Sequence, residues 1–170
     1  MLDKKEGSGG PIKPMGRKSF CCEPLKPTLD GLTARKIFMK AVVIDAFGDA
    51  TTLQVREVSK PEISAGQILV KVHASNVNPI DWKMREGHMV ARYGSEFPMV
   101  LGWDCSGVVS AVADDVNNFR VGDDVFARSD VKTGRCYAEF AAINAGTAVH
   151  KPRSLNHIEA GSMPLLSLIH

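Results

Sequence analysis

The sequence predicts a mainly β fold, a barrel or sandwich of short strands with few helices. Three observations carry that reading. Runs rich in β-branched residues recur at roughly ten-residue intervals. Gly, Pro and Asp break them. One run alternates apolar and polar residues with a period of two. The 170-residue chain is 44% apolar and 24% charged, a globular composition. Its net charge of +2 gives no electrostatic footprint for a nucleic-acid partner. No apolar stretch approaches the roughly 18 residues that a membrane span needs. Four cysteines, with Cys21 and Cys22 adjacent, do not make a secreted disulfide framework. No CxxC pair offers a thiolate zinc knuckle.

Residues 1–40 carry nine Lys/Arg against four Asp/Glu, whereas residues 41–170 are net acidic. The first segment holds Gly7, Gly9, Gly10, Pro11, Pro14, Pro24 and Pro27 without helical or strand periodicity. It buries too little apolar surface to offset its ordering entropy. Residues 1–38 are therefore read as a disordered leader, with Met39 a plausible alternative start. The leader lacks the apolar core of a secretory signal. Arg17 and Arg35 set against Asp3, Glu6, Glu23 and Asp30 fit a mitochondrial transit peptide poorly. The cytosol is the expected compartment, with the mitochondrion as second reading.

Strands are expected at Lys40–Asp45, around Leu53, Val55 and Val58, and at Ile68–Ser75, where Ile68, Val70, Val72 and Ala74 alternate with Leu69, Lys71, His73 and Ser75. Further strands are expected at Gly107–Val112, after the Gly122-Asp123-Asp124 turn, at Tyr137–Ala142 and at Ala148–Lys151. Asn156 and Glu159 have capping-box spacing, so a short helix begins there. Residues 154–170, ending in Leu165-Leu166-Ser167-Leu168-Ile169-His170, read as the start of a truncated connection to a further domain.

Three patches carry chemistry-bearing residues. In Asn78-Pro79-Ile80-Asp81-Trp82-Lys83-Met84-Arg85-Glu86-Gly87, Asn78 suits an N-cap, Pro79 the first helical position and Asp81 the first turn. Local capping alone accounts for these residues; the same turn at a strand end could also present Asn78, Asp81 and Lys83 to a ligand. In Leu101-Gly102-Trp103-Asp104-Cys105-Ser106-Gly107, Asp104 is a carboxylate in an apolar run and needs a partner. Tyr137, in Tyr137-Ala138-Glu139-Phe140, reads either as a strand aromatic or as a proton donor. The histidines lack HxH or HxxxH spacing, and no phosphate-binding glycine motif occurs.

With Met39-Lys40-Ala41-Val42, Val72-His73-Ala74-Ser75 and Val121-Gly122-Asp123-Asp124-Val125, these patches in this order resemble the GroES-like catalytic domain of the medium-chain dehydrogenase/reductase superfamily, on its zinc-independent quinone oxidoreductase and enone reductase side. The resemblance runs from about Met39 to the C-terminus and implies a partly open GroES-like β-barrel over 39–153. It implies NADPH as cofactor and a quinone or α,β-unsaturated carbonyl as substrate. It places Asn78 near nicotinamide and substrate, with Asp81, Lys83 and Tyr137 on the matching cleft segments. The zinc-dependent relatives carry a metal-binding Cys where Asn78 stands and a His-Glu pair where Trp103-Asp104 stands, so no metal is expected. Family members continue into a Rossmann domain, which is absent from these residues. The expectation is a truncated oxidoreductase with little activity alone. The alternative is a non-catalytic module that pairs with a full-length relative or with itself.

Overall fold

The computed structural model describes residues 37–130 and 135–168, so the predicted leader lies outside the described residues except for Ile37 and Phe38. The first strand, β1 (Phe38–Ile44), starts one residue before the predicted domain boundary and runs antiparallel to β2 (Gln54–Ser59). β4 (Met99–Val100) covers the other side of β1, giving the order β2-β1-β4. The second sheet holds β3 (Gln67–Ser75), β5 (Asp104–Val112), β6 (Asp124–Arg128), β7 (Phe140–Asn144) and β8 (Ala148–His150), in the order β7-β3-β5-β6-β8. Neither sheet closes on itself, and among the described residues three short α-helices accompany them: α1 (Pro79–Arg85), α2 (Val90–Tyr93) and α3 (His157–Gly161). This is the mainly β, GroES-like architecture that the sequence predicts. No helix among the described residues is long and apolar enough to cross a membrane.

The alternation in β3 sets which way the second sheet faces. Ile68 and Val70 are fully buried while Lys71, His73 and Ser75 are exposed; Leu69 departs from the alternation and is also buried. Ile68 and Val70 pack with Cys105, Val109, Val125, Ala127, Cys136, Ala141 and Ile143 in one core. Each large aliphatic side chain in it contributes about 1.5–3 kcal/mol relative to exposure. A second core of Ile44, Met84, Met99, Leu101 and Trp103, flanked by Ile80, Tyr93 and Tyr137, anchors α1.

The expected strand at Tyr137–Ala142 is displaced: regular pairing with β3 covers Phe140–Asn144. Tyr137–Glu139 instead bonds to both sheets. The Val42 N–H donates to the Tyr137 carbonyl at 2.7 Å, the Glu139 N–H to the Lys40 carbonyl at 3.0 Å, and the Val72 N–H to the Glu139 carbonyl at 2.9 Å. A backbone shared between two strand directions cannot join a single ladder. β5 begins at Asp104, three residues before the predicted start, and β4 and α2 were not anticipated.

The capping box at the start of α3 forms as its spacing predicts. Asn156 Oδ1 accepts from the Glu159 N–H and Glu159 Oε2 accepts from the Asn156 N–H, both at 2.9 Å. Exchanging Asn156 for alanine is expected to cost about 1 kcal/mol. Urea midpoints of the two proteins measure it.

Candidate functional site

The turn between β3 and α1 positions the site. Asn78 is the N-cap of α1, Pro79 follows with no N–H to leave unpaired, and the Asp81 carboxylate turns back to accept the Asn78 backbone N–H at 2.7 Å. That closure buries Asn78 and Asp81, which are 2% and 3% exposed. The Asn78 side-chain amide donates through Nδ2 to Asp104 Oδ2 at 2.8 Å. The other Asp104 oxygen accepts the Leu165 backbone N–H at 3.0 Å. Asp104, fully buried at the head of β5, thus has the partner that its apolar surroundings demand. Asn76 Nδ2 donates to Asn78 Oδ1 at 3.3 Å, and the Tyr137 hydroxyl donates to the Asn76 carbonyl at the same distance.

Gly102 allows Tyr137 to reach this cluster. Its φ of +99° suits glycine, and a Cβ there would sit 2.6 Å from Tyr137 Cδ1 and 2.7 Å from the Tyr137 nitrogen. Trp103 fills the floor: its indole N–H points at Met84 Sδ at 3.3 Å, and its ring meets Tyr93 edge-on at 5.5 Å between centroids.

Asn78, Asp81 and Tyr137 therefore come together, whereas Lys83 does not join them. Lys83 is exposed on α1 and holds its ammonium 5.7 Å from the centre of the Trp82 ring. The capping expected of Asn78 and Asp81 is what buries them: the residues that close the turn are also those that pack beneath it. Tyr137 is half-buried. Asn76 and Trp103 were not among the expected site residues, and Asp104 was marked only as a carboxylate in need of a partner. A lone carboxylate in an apolar run is the one signal that could have found this cluster.

Burial pushes the Asp81 carboxyl up to about 6, against the Asn78 N–H, the nearby Tyr137 hydroxyl and the Gly102 N–H, which favour its charged form. Asp81 Oδ1 accepts no hydrogen bond from a described residue. Burial also raises Asp104, with the Asn78 amide and the Leu165 N–H opposing. Tyr137 is held well above the ordinary tyrosine value by burial and by the Asp81 carboxylate beside it, so it remains a hydroxyl.

The raised Asp81 value has a stability consequence. From pH 3.8, the ordinary carboxyl value, to about 6, the folded state binds more protons than the unfolded one. The contribution is complete below that window and is lost as pH rises through it, by on the order of 3 kcal/mol. Asp81→Asn keeps an acceptor for the Asn78 N–H and carries no charge. It is expected to flatten the fall in stability across this window, read as urea midpoints from pH 4 to pH 8; a variant whose curve parallels the wild type would contradict the assignment.

The donor chemistry does not suit a metal: an amide and an indole stand at Asn78 and Trp103, and no group of three or more His, Cys, Asp or Glu among the described residues could hold an ion. For a dinucleotide the fit is partial. No glycine-rich turn joins a strand to a helix among the described residues, and the Asn78 amide is committed to Asp104.

The alcohol dehydrogenase GroES-like domain family matches residues 64–154, more than half of the chain. The mitochondrial NAD(P)H oxidoreductase RTN4IP1 of Mus musculus is 36% identical over 161 residues, covering 84% of this chain and 40% of that protein. A solved quinone oxidoreductase from Coxiella burnetii matches with a TM-score of 0.73 and 35% identity, over 78% of this chain and 43% of the other. Mycobacterial Rv1454c, solved in complex with NADPH, matches at a TM-score of 0.69 and 30% identity, over 77% of this chain and 39% of the other. The chain spans about two fifths of the length of the curated relatives it matches. The family match runs through Asn78, Asp81, Asp104 and Tyr137, the residues that the fold gathers. The chain belongs to the alcohol dehydrogenase GroES-like domain family, within the medium-chain dehydrogenase/reductase superfamily and on its quinone oxidoreductase side.

Proposed function

We propose that these residues form the substrate-side part of a zinc-independent, NADPH-dependent oxidoreductase that reduces quinones or the double bond of α,β-unsaturated carbonyls. The observation that carries the reading is the 2.8 Å hydrogen bond between Asn78 and Asp104, where the superfamily's zinc enzymes place a ligand Cys and a Glu. Without a Lewis acid, a substrate carbonyl must be polarised by hydrogen-bond donors. Tyr137, half-buried and kept protonated by its surroundings, is the donor at the edge of the cluster once substrate takes the place of the Asn76 carbonyl that accepts its hydroxyl at 3.3 Å. Asn78, Asp81 and Asp104 beneath it hold the turn rigid, while Lys83 stands apart at the Trp82 ring. The hydride would come from the nicotinamide, whose phosphates these residues do not grip. Little turnover by these residues alone is therefore expected.

The test is a thermal melt with NADPH, with a quinone or enone, and with both, alongside NADPH oxidation. A ligand at about 100 times its dissociation constant adds about 2.7 kcal/mol to a two-state domain. The expected result is an upward shift with quinone or enone, diminished in Tyr137→Phe, and slow oxidation of NADPH. A melt that no ligand moves overturns the substrate-side reading. Brisk turnover overturns the claim that these residues are insufficient.

A second reading, a non-catalytic module that pairs with a full-length relative or with itself, is favoured by one observation. Ile158 on α3 and Met163 and Leu166 after it, with Val77 in the turn before α1, leave large apolar side chains exposed. Association with a full-length relative, together with an unmoved melt, would select this reading. The cytosol stands as the proposed compartment, beside relatives named as mitochondrial or chloroplastic.

A further inference from the structure

We propose that the cavity between β1, β2 and β7 is a binding site for a small apolar carboxylate, whose tail fills the cavity and whose charged end meets Arg135. The cavity encloses about 250 Å³. Met39 and Val43 of β1, Val58 of β2, Val100 of β4 and Phe140 of β7 line it. Among the described residues along its wall, Ser59 and Arg135 alone are polar, and Arg135 alone is charged. The cavity is separate from the cluster at the head of α1: none of Asn76, Asn78, Asp81, Asp104 and Tyr137 lines it.

Such a cavity selects by size and by one charge. Water inside it finds few polar partners on these walls, so an apolar group displaces it at little cost. A water takes about 30 Å³ of liquid, so the space accepts a ligand of about eight non-hydrogen atoms, the size of hexanoate. Arg135 supplies the charge. Its guanidinium makes no ion pair or hydrogen bond with another described residue. It presents a planar fork that matches a carboxylate through two parallel bonds. Arg135 is half-buried, where salt screens an ion pair less than at an open surface. Lys60 adds positive potential nearby, its ammonium 3.8 Å from the centre of the Phe140 ring. No carboxylate of a described residue lines the cavity to oppose an anion. A neutral ligand of the same shape gains the apolar contact alone, and a cationic one meets like charge.

The test titrates the full chain with sodium hexanoate and, separately, with 1-hexanol at matched ionic strength, following the backbone amide resonances. Hexanoate is expected to give saturable shifts centred on Met39, Val58 and Phe140, and to bind at least about tenfold more tightly than hexanol. Arg135→Gln should weaken hexanoate by a similar factor and leave hexanol unchanged. Where that variant fails to fold, hexanoate against hexanol in the parent decides alone. Equal affinities for the two ligands, or an Arg135→Gln protein that binds hexanoate as the parent does, overturn the proposal. Shifts that never saturate, or that centre on Asn78 and Tyr137, overturn it too. Shifts at the cavity amides that follow protein concentration rather than hexanoate mean that a second copy occupies the cavity, and overturn it as well.

Discussion

Gly107→Ala is expected to destabilise the domain by about 3 kcal/mol or more, the largest loss predicted here for a single methyl group. Gly107 sits opposite Val72 in the β3–β5 ladder, at the centre of the five-stranded sheet. A Cβ at this position would lie directly on the Lys71 carbonyl oxygen, 2.9 Å from its carbonyl carbon and 3.0 Å from Val70 Cγ1. The cause is space rather than backbone conformation, since the obstacle is the neighbouring strand's own backbone. A flexible side chain could rotate away; a carbonyl committed to a ladder cannot. The ladder already shifts register between Val72 and Ala74, beside the contact, so further adjustment must break pairs. Urea unfolding at neutral pH measures the loss. A change below about 1 kcal/mol would mean that the strands separate more easily than this packing implies.

Asp104→Ala should cost about as much for a different reason. The buried carboxylate satisfies two donors, the Asn78 amide at 2.8 Å and the Leu165 N–H at 3.0 Å. Truncation strands both, at about 1–3 kcal/mol each, and opens a void at the head of β5. Loss of the charge works the other way, because burial already disfavours the ionised form. The stranded donors outweigh that relief, since Asp104 is fully buried and water cannot replace it without opening the strand. Asp104→Asn retains one acceptor and should lose less. The two variants are distinguished by unfolding free energies and by the Asn78 side-chain amide resonance, which should shift in both and broaden only in the alanine variant. Equal stability in the wild type and the alanine variant would sink the idea that Asp104 holds the turn.

Local signals made much of the fold legible in the sequence. The period-two run of β3, the Asn-Pro start of α1 and the Asn156–Glu159 box each specify their element within a few residues of chain. β4, only two residues long, carries no period at all and exists because β1 offers it an edge. Tyr137–Glu139 read as strand because its composition is that of a strand, yet its bonding is divided between two sheets. The site was partly legible for the same reason. Asp104 announced a missing partner, but Asn78 lies 26 residues away in sequence, and only the fold joins them. Lys83 was grouped with Asn78 and Asp81 by proximity in sequence, whereas its ammonium lies over Trp82.

The three residues shared by both sheets also bear on how the domain opens. Their amides and carbonyls tie β1 to β3 through Val42, Lys40 and Val72, and the Glu139 side chain adds a further bond from the Lys40 N–H at 2.8 Å. Neither sheet can peel away while that stitch is closed, and the stitch cannot open without breaking bonds on both sides. The three-stranded and five-stranded sheets therefore form a single foldon, whose central amides exchange with solvent through one shared opening event rather than two.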